Sequence, residues 1–289
     1  MGKHYIPKKY LRGFAADEAG RAIWMFDKVL RDWKRAAIDK VAQKREYFDT
    51  PTEDALSTLI ENPAHGALDR LLATNQVHDA DRELLSRYIS VMLRRVPASR
   101  RRSMELVEPS VRNVVERYRE VMKAEAAEDE SVSHLLPEKL AHLDILEARY
   151  VDSPTPEVKA NVLSPWPSSR IFAAVESMTW RIVKAPQGFD YLTSDNPAYF
   201  FPGLGIGSAE SEITFPISSK LVLLASWQGE PGATLYFSGT KRLVHEVNRR
   251  IASGTERFVF SSVKAGWIAR LCLKPNHYLS RIRWDSIAT

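Results

Sequence analysis

The densest run of reactive side chains opens the chain. His4-Tyr5-Ile6-Pro7-Lys8-Lys9-Tyr10-Leu11 sets one imidazole, two phenols and two ammonium groups within eight residues. Imidazole exchanges protons near neutral pH, and ammonium and phenol groups beside it can hold a phosphate or a carboxylate. The same residues would equally serve as a docked arm, its rings anchored on a core and His4 merely hydrogen-bonded. A second concentration is Thr193-Ser194-Asp195-Asn196-Pro197, which follows the apolar FDYL run and ends in a proline that stops a central ladder. A carboxylate at a strand end is well placed to bind a metal or orient a base. Asp and Asn also favour turns, because their side chains bond their own backbone. Asn248 is the third candidate: four residues after Val244 and three before Ile251, it shares the apolar face of a helix over 241–252. A buried amide there must find partners, in a loop or in a ligand.

Other signals are weaker. Arg94, Arg95, Arg100, Arg101, Arg102, Arg112, Arg117 and Arg119 form the most basic stretch, of a kind that can meet a phosphate backbone. Glu105, Glu108 and Glu116 are interleaved, and 41 Lys+Arg against 36 Asp+Glu leaves only 41 − 36 = +5, so a solvated, salt-bridged face is the expectation. The Gly203–Ser208 run lacks a P-loop lysine and leads into a strand-like segment, where phosphate binding needs a helix N-terminus; it reads as a hairpin loop. No HExxH, GxSxG, kinase set or EF-hand loop is present, and Glu157-Val158-Lys159 lies in a proline-rich connector unsuited to a rigid metal site. His245-Glu246 and the His134, His142 pair lack a third ligand. Cys272 is the single cysteine among 289 residues, so there is no internal disulfide and no Cys-based zinc site, and a reducing, cytoplasmic setting is expected. No run approaches the about 20 apolar residues of a membrane helix, which argues against membrane partners.

These side chains need elements to hold them. AIWMFDKV and QKREYF read as strands. Thr50 as N-cap, Pro51 at the first helical position and Glu53 three residues on predict a helix start, and Asn62-Pro63 predicts a break. Leu84, Leu85, Tyr88, Ile89, Met92, Leu93 and Val96 recur as one buried stripe until Pro97. A further helix follows Pro109 and gives way to the acidic KAEAAEDES loop; another covers 135–150. Prolines 154, 156, 165 and 167 mark a connector. WRIVKA, FDYLTS, SEITFPI, KLVLLASW and TLYFSG then read as strands, followed by a helix KRLVHEVNRRIAS closed by Gly254, a strand RFVFSS, a helix near 262–273 and YLSRIRW at the end. Strands, then helices, then strands predict an α+β fold with a largely antiparallel sheet from the N- and C-terminal segments and a helical middle segment. The expected organisation is one domain over 1–289, with a helical insertion at about 50–150 and a mainly β part at about 170–289. Two domains split near 150 are the alternative.

HYIPKKYLRGF, YLTSDNPA, FPIS and VNRRIASGTERFVFS, in this order, resemble the bacterial family called domain of unknown function 4238. LSRYISVMLRRVPASR is similar to that family's long helix ending in Arg-x-Pro. The resemblance places His4, Pro7, Tyr10, Leu11, Asp195, Asn196, Pro197 and Asn248 at signature positions and implies no reaction. The family's common His-His start is Lys3-His4 here.

The leading functional expectation is a hydrolase on a phosphate-containing substrate, such as a nuclease. In it His4 is general acid/base, Asp195 holds a divalent metal such as Mg²⁺ or orients the base, and Lys8, Tyr10, Asn196 and Asn248 position a nucleic acid or other phosphate-containing ligand. The alternatives are a non-catalytic binding or regulatory module whose motifs are structural, and a small-ligand binder with the Gly203–Ser208 loop as lid.

Overall fold

The computed structural model describes residues 2–45, 47–152, 155–201, 204–274 and 282. The chain forms two compact units, one of Met1–Ala98 with Pro165–Thr289 and one of Ser99–Ser164.

In the larger unit the elements before the middle segment are β1 (Gly2–His4), α1 (Lys8–Arg12), β2 (Ala22–Asp27), β3 (Asp32–Ala37), β4 (Gln43–Arg45), α2 (Thr50–Leu56), α3 (Asn62–Thr74) and α4 (Asp79–Arg94). Helix α5 (Pro97–Glu105) leads into α6 (Val107–Glu128), α7 (Glu130–Ser133), α8 (Leu136–Asp152) and α9 (Pro156–Leu163). The chain then returns through α10 (Ser169–Ser177), β5 (Thr179–Lys184), β6 (Thr193–Ser194), β7 (Tyr199–Phe200), β8 (Glu212–Ser218), β9 (Leu221–Ser226), β10 (Thr234–Ser238), α11 (Lys241–Gly254), β11 (Phe258–Ser261) and α12 (Gly266–Leu273).

The fold is α+β, as its pattern predicts. One sheet has the order β10-β5-β9-β8-β7, antiparallel except for the β10–β5 pair. A second has the order β3-β2-β11-β6, so an N-terminal hairpin pairs with C-terminal strands. Every residue of β8 and β9 is buried, which fits strands covered on both faces. Among the described residues strand β1 pairs only with β4, through three residue pairs.

Local departures from expectation have physical reasons. Asp49, one residue before Thr50, caps α2 by accepting from Thr52 N. Asn62-Pro63 does not break the helix. Residues Ser57–Glu61 wind as a π turn, with Asn62 N–H reaching Ser57 O, and this joins α2 to α3 while absorbing the N–H that Pro63 lacks. KAEAAE is the last part of α6, since Ala, Glu and Lys are strong helix formers and need no burial. The proline-rich connector contains α9, with Thr155 as N-cap and Pro156 in the first turn, where a proline costs nothing. Strand β3 and helix α10 carry no signal that the sequence made plain. YLSRIRW lies outside the described residues except for Ile282, and so does Gly203 of the glycine run.

Candidate functional site

The Asp195 motif is spent on main-chain bonds. Strand β6 pairs with β11, and at its end the Asp195 carboxylate, 4% exposed, turns onto the β11 backbone. Oδ1 accepts from Glu256 N (3.0 Å), and Oδ2 accepts from Arg257 N (2.7 Å) and Phe258 N (2.9 Å). Three of its about four lone-pair sites are therefore taken. Burial pushes the carboxyl up to about 6, assisted by the charge of Glu256 and opposed by the three N–H donors. Among the described residues no group of three or more His, Cys, Asp or Glu side chains is arranged to hold a metal ion.

The neighbouring motif residues work in the same way. Asn196 Nδ2 donates to Gly254 O (2.8 Å), and Ser194 Oγ closes the turn on the Asn196 backbone. Asn248, buried on α11, accepts from Leu192 N (2.8 Å) and donates to Asp190 O (2.9 Å), which ties the helix to the segment before β6. From the arm, Tyr10 donates its hydroxyl proton to Pro216 O (2.7 Å) and shares a bond with Thr193 Oγ1 (2.8 Å). Burial drives the Tyr10 phenol far above its ordinary value. Gly13 follows because a Cβ there would come within 2.9 Å of Ile217 O. The bonds of these residues are those of a knot joining the arm, β8, β6 and α11.

His4 is held elsewhere. Its imidazole lies among Lys8, Asp39 and Arg95, and its backbone carbonyl accepts from Arg95 Nη2 (2.9 Å). The structure brings Lys8 to His4 and Tyr10 to Thr193. It shows no hydrogen bond between His4 and Asp195; Tyr5, not His4, is the arm side chain on which the charge of Asp195 acts. The imidazole Nε2 is buried without a hydrogen-bond partner among the described residues. Burial first, and then the cations Lys8 and Arg95, keep His4 below its ordinary range and hence neutral at pH 7.

Around Arg95 gathers a set of residues that sequence reasoning missed. Arg95, expected on a solvated face, is 1% exposed. Its Nη1 meets Glu61 Oε1 at 2.5 Å, and its guanidinium lies 5.7 Å from the Phe48 ring centroid. Glu61 ends the π turn, His65 lies one turn on, and the His65 and Tyr88 rings stand edge to face at 6.4 Å. Glu53 is pushed upward by burial and by Glu61, against the pull of Arg95. His65 is lowered chiefly by burial. Sequence signals existed for Arg95, at the end of the α4 stripe before Pro97, for Tyr88, which read as core, and for Glu53, which read as part of a helix start. Glu53 lies on α2, Glu61 at the end of the π turn and His65 on α3, and the π turn that joins these helices is a geometry no periodicity reveals.

The family model described as "Protein of unknown function (DUF4238)" matches residues 3–265. No curated protein and no solved structure matches the chain.

Proposed function

Since the chain belongs to that family, whose description carries no reaction, we propose from its own geometry that it is a non-catalytic binding or regulatory module. In this reading the TSDNP, VNRR and KKYL motifs build the scaffold. The observation that carries it is the Asp195 carboxylate, buried and engaged by three main-chain N–H groups. A metal ligand or catalytic orienter would keep lone pairs aimed at a metal or an imidazole. The capture of both Tyr10 and Asn248 by backbone carbonyls adds to it.

The test is a cleavage assay on labelled single- and double-stranded DNA and RNA with Mg²⁺, Mn²⁺ or chelator, beside thermal unfolding of Asp195→Asn and Tyr10→Phe. No cleavage is expected in any condition. Both variants should lower stability, Tyr10→Phe by about 1–3 kcal/mol, because it strands two buried partners. Cleavage by the wild type that His4→Ala and Asp195→Asn abolish while remaining folded would overturn the module reading and restore the hydrolase.

A further inference from the structure

Five polar atoms of the Arg95 cluster are buried without a hydrogen-bond partner among the described residues: His4 Nε2, Glu53 Oε2, His65 Nε2, Tyr88 Oη and Arg95 Nε. Tyr88 and Arg95 are each 1% exposed. An unmet buried donor or acceptor costs about 1–3 kcal/mol, and native structures hold only a few per hundred residues. Five in one neighbourhood are a sizeable penalty to carry for packing alone. The cluster is also built around the Ser57–Glu61 π turn, a rare conformation that recurs at functional sites.

The unmet atoms have a common chemistry. Arg95 Nε–H and the Tyr88 hydroxyl are donors. Glu53 Oε2 is an acceptor for a proton-bearing ligand oxygen. The Nε2 of His4 can accept a hydrogen bond from a ligand hydroxyl. Most of the formal charge is already matched: Glu61 is spent on Arg95, and Asp69 on Lys9 at 2.6 Å. Lys8, exposed on the first turn of α1 and acting on His4, supplies a cation at the rim. N–H and O–H donors beside acceptors, with a cation at the edge, suit a tetrahedral oxyanion that also carries a proton.

We propose that His4, Glu53, His65, Tyr88 and Arg95 form a binding site for a phosphate group, closed over by the N-terminal arm. The proposal rests on the binding-module reading and names the ligand class that module takes. The unmet atoms are enclosed, so entry requires the arm to lift. Strand β1 is suited to this, because among the described residues three residue pairs with β4 are its whole share in any sheet. The Arg95 bond to His4 O is then the latch that the ligand competes with and re-forms around.

Isothermal titration calorimetry with inorganic phosphate and with adenosine 5′-monophosphate, on the wild type and on Tyr88→Phe, tests the site. Binding of inorganic phosphate alone supports a site for the free anion; binding of the nucleotide, alone or as well, supports a site for phosphate esters. Tyr88→Phe loses no partner in the free protein, so its melting temperature should hold or rise, while phosphate binding weakens about tenfold. Hydrogen exchange of residues 3–12 should slow on binding. Absence of binding by both probes at about 10 mM, or equal binding by Tyr88→Phe, overturns the proposal. Nucleic-acid cleavage in the preceding assay would instead sink the module reading and leave phosphate binding at this site intact.

Discussion

Two kinds of titratable group, half-buried imidazoles and a buried carboxyl, sit in the larger unit and pull stability in opposite directions with pH. His4 and His65 lie below their ordinary 6.5 in the folded chain, chiefly because burial disfavours the imidazolium. As pH falls through 6.5 the unfolded chain takes up those protons first. The stability they permit is therefore complete above 6.5 and declines below it. Asp195 is the reverse: its carboxyl is raised from 3.8 to about 6, so the folded chain is protonated first and gains stability as pH falls from 6 toward 4. A comparison of wild type with His65→Asn isolates one imidazole, since the Asp195 contribution is common to both. The drop in melting temperature between pH 7 and pH 5 should be shallower in the variant. Identical slopes would mean that His65 titrates normally in the folded chain.

At the scale of elements, α4 shows what the sequence made legible and what it hid. Its apolar stripe is buried as the spacing requires, with Leu85, Tyr88, Ile89 and Met92 in the core. Its arginines look alike in the sequence and differ completely in the structure. Arg87 is exposed and pairs with Glu83 one turn back, whereas Arg95 at the helix end is enclosed and ties Glu61 of the π turn to the arm. A solvated arginine and a buried one share the same letter, and only the long-range partners separate them. The same holds for the knot: Asp195 and Asn248 were visible as polar residues that needed partners, but which backbone groups would satisfy them depends on β6, α11 and β11 meeting. Arg250, also on α11, went unremarked as one of a run, yet is wholly buried against Glu212 at 2.8 Å. The contrast on α4 is measurable by chemical denaturation. Arg95→Ala should cost about 3–5 kcal/mol, because Glu61 is left half-enclosed without its cation, and Arg87→Ala less than about 1 kcal/mol. Equal costs would show that Arg95 is not the tie between these elements.

The two compact units of the molecule hold together by different means, and this sets how each should open. In the larger unit β8 and β9 run through a continuous apolar core that also takes in the arm, α3 and α4. In the unit of Ser99–Ser164, α6 and α8 pack on each other, but among the described residues of these two helices only Val115 and Leu143 are buried. Val114, Tyr118 and Val121 of α6, at the spacing that in α4 makes a core stripe, are exposed here. Ion pairs do much of the joining instead: Arg112 with Glu147 at 2.8 Å, and Arg119 with Glu147 at 2.9 Å and with Asp144 at 2.5 Å. Pairs with at least one solvent-facing partner, such as Arg112 with Glu147 and Arg119 with Asp144, contribute about 0–1 kcal/mol each and are screened by salt, whereas buried apolar area is what resists local opening. Native-state hydrogen exchange should therefore find the amides of α6 and α8 opening at a lower free energy than those of β8 and β9, with the gap widening as salt is raised. Protection in α6 equal to that in β9 and indifferent to salt would mean that its exposed apolar stripe is covered in solution.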